Sequence, residues 1–319
     1  MRLFVKRLLQ LTVVFVVVTF FTVVLISLVP GKPEVVVIPF DSTPGHQQWQ
    51  QFREDNNLDK SLPEQWALWA KNFVRGDFGN FYTSTNTRPV SDTLWPSLRV
   101  SALLILYVQL FSLAVAIPLA ISAAYRSGSW LDKVLNGGAF GCLALPAFAT
   151  ALILSYWLGV KANVVPAQGY TAPGDGLGDH FRSMVIPVLA LSLGQIAVYM
   201  RLLRSDLVAT LQEDFILMAK AKGISNRRVL WRHALRPSSL TLLTVAGLST
   251  GTLIGGALVV EYLLGIPGMG SFLGAAVFGR QYVALQSGVA IIAILFVLMN
   301  FFIDWLYQIL DPRIRERST

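Results

Sequence analysis

Glu213–Pro237, EDFILMAKAKGISNRRVLWRHALRP, is a basic, helix-forming stretch set between two long apolar runs. It carries Lys220, Lys222, Arg227, Arg228, Arg232 and Arg236. Glu213 and Asp214 stand where a helix N-terminus favours negative charge, and Phe215, Met218, Ala219 and Lys222 follow at helical spacing on one side. Gly223 falls just past the end of that helix, where a residue able to adopt positive φ is wanted. Ser225 is placed to cap a second helix with Val229, Trp231 and Leu235 as its apolar positions, and Pro237 to stop it. An ordinary basic loop accounts for the arginines. It does not account for Ala219, Ala221 and Gly223 in close succession, which suit a helix fitted into a groove. A docking surface for a soluble partner accounts for both.

The runs on either side set the class. Of the 319 residues, 54% are hydrophobic and 14% charged, and the mean hydropathy is +0.57. A soluble chain carries about a quarter charged residues, so the deficit points to a polytopic membrane protein. The formal charge of +8 sits beside apolar runs, where cations orient spans and meet anionic lipid headgroups. That placement argues against nucleic acid as a partner. The single cysteine, Cys142, excludes an internal disulfide and a thiolate metal cluster, and reads as a buried small hydrophobe. His46, His180 and His233 are too scattered to form a metal site.

Six apolar segments are long enough to span, near 8–29, 97–124, 134–159, 184–204, 240–262 and 286–310. The first follows a charged MRLFVKR, as in a signal peptide, but it is too long for a cleaved apolar region and no A-x-A site follows. It reads as a retained span. Sixteen of the 26 Lys and Arg residues fall on the side that carries the N-terminus, the 213–237 stretch and the C-terminus. The positive-inside rule therefore places both termini in the cytoplasm. The basic stretch then becomes a short helix lying across the membrane plane, followed by one leading back to the fifth span.

Between the first two spans, residues 30–96 are too long for a simple connection and read as two amphipathic helices. Trp49, Phe52 and Leu58 mark the apolar face of the first, and Trp66, Trp69, Ala70 and Phe73 that of the second. Pro63 suits the first turn of the second helix and Gly76 its end. A cap on the membrane surface and a platform for an external partner both fit; the cap is the simpler reading.

Several intramembrane patterns admit a chemical reading beside a packing one. Gly247–Gly251, GLSTG, matches the G-x-S-x-G nucleophile elbow, but His233 falls in the 213–237 stretch and His180 in an outer loop, so no span supplies a histidine as base. Gly247, Gly251 and Gly255 instead repeat every four residues, giving a ridge on which another helix packs closely. Glu261 and Asp304 are the acidic residues nearest span interiors. Intramembrane carboxylates often mark ion coupling, yet both lie near predicted span ends and neither has a second carboxylate beside it. Gln109, Gln195, Tyr199, Ser249, Thr250, Thr252 and Asn300 are expected to form interhelical hydrogen bonds. Pro118, Pro146 and Pro187 are candidate kinks.

KAKGISNRRVLWRHALRPS resembles the cytoplasmic loop of bacterial ATP-binding-cassette importer permeases of the peptide/nickel family. RGDFGNFYTSTNTRPVSD (Arg75–Asp92), VEYLLGIPGMGSFLGAAVFGRQYVALQSG (Val260–Gly288) and the closing DPRIR (Asp311–Arg315) resemble segments of the oligopeptide and dipeptide branch, in the same order. PGKP (Pro30–Pro33) stands where that family usually has Pro-Gly-Asp-Pro, and residues 34–44 match no part of its pattern.

The resemblance implies an all-α, polytopic integral membrane protein of the bacterial inner membrane. It would have six transmembrane helices and an external helical insertion, in the manner of a type I ABC importer permease. Its parts would be 1–29 (N-terminal end and first span), 30–96 (external helical segment), 97–310 (permease core, with coupling loop 205–237) and 311–319 (cytoplasmic tail). A second homologous permease would complete the pathway, two cytoplasmic ATPases would bind ATP and Mg, and an external solute-binding protein would deliver short peptides. This chain has no GxxxxGK[ST] and holds no cofactor of its own by that reading. The loop helix would insert into an ATPase groove, with Glu213, Asp214, Phe215, Met218, Ala219, Ala221, Lys222, Gly223 and Arg227 as the coupling residues.

Overall fold

The computed structural model describes residues 2–28, 53–54, 57–82 and 87–310, with side chains described from 9 to 303 within those ranges. PGKP, residues 34–44, Trp49 and Phe52 of the first external helix, the Asp304 side chain and the DPRIR tail lie outside what is described.

The chain is almost wholly helical among the described residues. In order it forms α1 (Arg2–Leu28), α2 (Leu62–Val74), β1 (Asn80–Tyr82), β2 (Thr87–Pro89), α3 (Ser91–Tyr125) and α4 (Trp130–Ala144). Next come α5 (Ala147–Leu154, continued by a π-helical turn over Ser155–Lys161), α6 (Leu177–Thr210) and α7 (Asp214–Ala221). The chain continues with α8 (Asn226–Leu264), α9 (Met269–Phe278) and α10 (Tyr282–Leu310). Among the described residues, five helices are long and apolar enough to cross a membrane, six if the bent pair α4–α5 is one span. Runs such as VVFVVVTFFTVV in α1 are rich in β-branched residues that favour strands in water. An isolated strand leaves its backbone groups unsatisfied in lipid, and a helix satisfies them all. Thr19 and Thr22 turn their hydroxyls back onto the Phe15 and Val18 carbonyls, at 2.6 and 2.8 Å.

Compact packing divides the chain into two units, one of residues 1–100 with 267–298 and the other of 101–266 with 299–319. In the first, α2 begins at Ser61, whose backbone N–H and hydroxyl both donate to the Glu64 carboxylate. It ends before Gly76 at φ +87°, as the sequence predicts. Its apolar face is engaged within this unit. The Trp66 indole donates to Thr19 Oγ1 (2.9 Å), Trp69 and Phe73 pack on Phe15, and the Trp69 indole donates to Ser287 Oγ of α10 (3.1 Å). Leu58 lies in a turn before α2 rather than on a helix.

The sequence reading contains no strand. The structure has a two-stranded antiparallel ribbon pairing Asn80 with Pro89 and Tyr82 with Thr87. It is held because the Gln281 side-chain amide takes the place of a strand: its oxygen accepts from Tyr82 N (2.9 Å) and its NH2 donates to Tyr82 O (2.6 Å).

In the second unit, the kink expected at Pro146 is present and two expectations are corrected. The third span is two helices bent by 97°, because Pro146 stands at the start of α5 and removes the donor that would continue α4. Pro118 and Pro187 lie within continuous helices. Pro237 does not stop a helix. A π-helical turn over Val229–Ala234 precedes it, a local adjustment that accommodates a missing donor, and α8 runs unbroken for 39 residues. Finally, His180 is fully buried in α6 rather than in a loop. Its Nδ1 donates to Thr171 O (2.7 Å) and its Nε2 meets the Tyr107 hydroxyl (3.1 Å). Tyr170 packs edge-on against the same ring, and burial pushes its phenol above its ordinary pKa.

Candidate functional site

The site is the turn of chain between α6 and α8, and its geometry follows from two faces of one short helix. α7 has Glu213 at its N-cap, Asp214 in its first turn and Lys220 in its last, charges that suit the two ends of the helix dipole. Ile216 (0% exposed) and Ala219 (7%) point inward. They join a core with Leu203 and Leu207 of α6, Val229, Leu230 and Ala234 of α8, and Ala116, Ala120 and Ala124 of α3. Phe215 (46%), Leu217 (54%) and Met218 (58%) point outward, and Asp214, Lys220, Ala221 and Lys222 are exposed with them.

Helical spacing alone grouped Phe215, Met218, Ala219 and Lys222 on one side. The structure splits that group, sending Ala219 to the buried face. It adds Ile216, the anchor that the sequence reading missed. Three successive apolar residues, Phe215–Leu217, gave no local signal for which one faces the core.

Gly223 adopts φ +75°, and its N–H donates to Lys220 O (2.9 Å). A Cβ there would meet nothing within 4 Å, so glycine is required by the backbone angle and not by crowding. Ser225 occupies the N-cap of the next segment without a side-chain cap bond. Val229 and Leu230 are buried, whereas Trp231 is half-exposed beside Arg227, Arg228 and Arg232, all exposed. Of the expected apolar positions, Val229 is buried and Leu235 packs against the core, while Leu230 takes the buried place expected of Trp231. The stretch therefore exposes Phe215, Leu217, Met218 and Trp231, with Asp214 and Glu213 against six exposed basic residues.

Two ties hold this turn to the rest of the unit. Thr210 Oγ1 and Ser238 Oγ share a hydrogen bond (2.9 Å) across its mouth. Asn226 Nδ2 donates to the Tyr125 hydroxyl at the end of α3 (3.4 Å).

The intramembrane candidates resolve toward packing. Ser249 donates to Val245 O (2.7 Å) inside an uninterrupted helix, which is not the strained strand-to-helix turn that exposes a nucleophile. A Cβ on Gly247 would come within 2.8 Å of Ile303 Cγ1, so this glycine does permit close approach of α10. Gly251 is buried. Gly255 is exposed and faces open space, so the three glycines do not form one ridge within this chain; at 100° per residue an i, i+4 row drifts around the helix. Glu261, expected at a solvated span end, is fully buried; the helix runs one turn past it to Gly265 in the left-handed region, and Ile266 N closes back on Glu261 O (2.9 Å). Among the described residues no group of acidic, histidine and cysteine side chains is arranged to hold a metal.

Residues 116–316 match the family model described as the binding-protein-dependent transport system inner membrane component. The chain belongs to this family. It is 32% identical to a probable peptide ABC transporter permease of Sinorhizobium fredii, over 97% of this chain and 98% of that one. It is 31% identical to an oligopeptide transport system permease of Bacillus subtilis, over 93% and 94%. The dipeptide transport system permease of Escherichia coli is 29% identical over 95% and 96%. Among solved structures, the MetNI methionine ABC transporter in an inward-facing conformation aligns with a TM-score of 0.52 at 15% identity, covering 70% of this chain and 96% of that one. That likeness concerns the fold. The chain is therefore a multi-pass permease subunit of the inner membrane, with the helical architecture of ABC importer permeases.

Proposed function

We propose that this chain is one of two different permease subunits of an importer for short peptides, driven by ATP that other subunits hydrolyse. The observation that carries the reading is α7. Ile216 and Ala219 anchor it in the permease core while Phe215, Leu217 and Met218 are presented outward beside Lys220 and Lys222. An apolar, cation-rimmed helix at the turn between two spans is a ready insert for a groove on a soluble protein.

By this reading two ATPases bind ATP and Mg, one of them gripping α7, and an external solute-binding protein delivers the peptide. Closure of the ATPases moves α7 and with it the cytoplasmic ends of α6 and α8. Both termini lie in the cytoplasm, in line with the Lys and Arg distribution. Peptide cargo is supported by the names of the relatives, which span oligopeptide and dipeptide systems.

The test is purification of the complex through a tag on this chain, in mild detergent, with its partners identified by mass spectrometry. A second permease and two P-loop ATPases are expected, together with loss of labelled di- and tetrapeptide uptake when the chain is deleted. Recovery of the intact chain alone would overturn the reading in favour of ion-coupled transport.

A further inference from the structure

Away from the exposed surface of α7, one charged cluster has no part in the docking just described. Asp132, in the first turn of α4, is 4% exposed. Its carboxylate is gripped by both Nε and Nη2 of Arg204 on α6. It also accepts from Gly128 N (2.9 Å) and Asn136 Nδ2 (2.8 Å). Arg204 Nη2 reaches Ser127 Oγ as well, at 3.5 Å.

Burying such a pair gains little net stability compared with apolar packing, whereas breaking it leaves a buried charge without its partner. A planar guanidinium on a carboxylate fixes direction as well as distance. An apolar contact slides; this one does not. That makes position more informative than energy. Arg204 lies beside Leu203 and Leu207, which share a core with the α7 anchors Ile216 and Ala219. Asp132 lies at the base of α4, and α4 ends at the 97° break before α5.

We propose that the Asp132–Arg204 pair is the joint through which displacement of α7 reaches the broken third span, so that α4 turns with α6 and the angle at Leu145–Pro146 changes. The proposal rests on the reading of α7 as the segment moved by an ATPase. Asp132 and Arg204 are positioning residues in it. They touch neither nucleotide nor cargo.

The experiment uses the tagged complex, reading ATP hydrolysis of the purified assembly and uptake of labelled di- and tetrapeptides by cells carrying the same variants. Asp132→Asn removes the charge and keeps the shape, and Arg204→Lys keeps the charge and loses the fork. Each is expected to leave complex yield and basal ATP hydrolysis within about twofold while peptide uptake falls about tenfold, the scale on which network residues alter coupling. The double variant is expected to lose no more than Asp132→Asn alone, since the two act as one unit.

Uptake at the wild-type rate in either variant overturns the proposal. So does parallel loss of hydrolysis and uptake, or failure of both variants to assemble; each marks the pair as a static brace. If the wild-type chain brings down no ATPase, the importer reading falls and the proposal with it. That result is visible without any variant, so the two failures are distinguishable.

Discussion

The Tyr199 hydroxyl, on a side chain with no exposed surface, donates to the Gln109 side-chain oxygen at 2.8 Å. The Gln109 NH2 donates in turn to Ala246 O (2.6 Å) and Thr250 Oγ1 (2.7 Å). Three spans, α3, α6 and α8, are thus joined by one amide. Both hydrogens and the oxygen of the Gln109 amide thus meet a partner.

Gln109→Leu takes away the acceptor of the Tyr199 hydroxyl, with the Ser249 hydroxyl still beside it, and removes the amide donor from Ala246 O and Thr250 Oγ1. The expected cost is about 1–3 kcal/mol, that of taking one partner away from buried polar groups. Tyr199→Phe removes the donor instead and is expected to cost about 0.6 kcal/mol, the mean for interhelical hydrogen bonds in membranes. Thermal unfolding of the detergent-purified chain ranks the two; a larger loss for Tyr199→Phe contradicts the clamp.

Ile216 and Phe215 are neighbours with opposite surroundings, and their alanine variants separate folding from docking. Ile216→Ala opens a cavity in the core and is expected to cost about 2–4 kcal/mol of stability. Phe215→Ala changes an exposed side chain and should alter stability by less than about 0.5 kcal/mol, while weakening recovery of the ATPase in the tagged complex. Equal ATPase recovery with and without the Phe215 ring removes this residue from the docking surface.

Gly223→Pro opposes both features of the turn. Proline is confined near φ −65°, against +75°, and it lacks the N–H that bonds Lys220 O. Membrane insertion is expected to survive and peptide uptake to vanish, read by membrane fractionation beside a transport assay. Uptake at the wild-type rate dissociates the turn from coupling.

Gly247→Ala places a methyl within 2.8 Å of Ile303 Cγ1, and overpacking of this kind costs about 1–3 kcal/mol. Gly255→Ala meets nothing within 4 Å and is expected to leave thermal stability of the isolated chain unchanged. Ser249→Ala, which removes a hydroxyl bonded to its own helix and lying beside the Tyr199 hydroxyl, is expected to leave uptake intact. Loss of activity in an assembled Ser249→Ala complex would restore the catalytic reading.

The sequence by itself determined the spans, the basic turn between α6 and α8, the positive-φ glycine at 223 and the limits of α2. These features depend on composition or on residues a few positions apart: the hydrophobic content of a window, a proline at a helix start, a glycine after its end. Only the tertiary structure decided which face of α7 is buried, since Phe215, Ile216, Leu217 and Met218 are all apolar and the core chose Ile216 and Ala219. Pro146 marked a candidate kink in the third span, but only the structure set the bend at 97°, because a hydropathy window averages across Leu145–Pro146 without registering direction. Long-range pairs were equally hidden. Asp132 meets Arg204 across 72 positions, and Trp69 meets Ser287 across 218. A polar side chain inside an apolar run announces that it needs a partner, but which partner it finds is set by the packing of helices far apart in the chain.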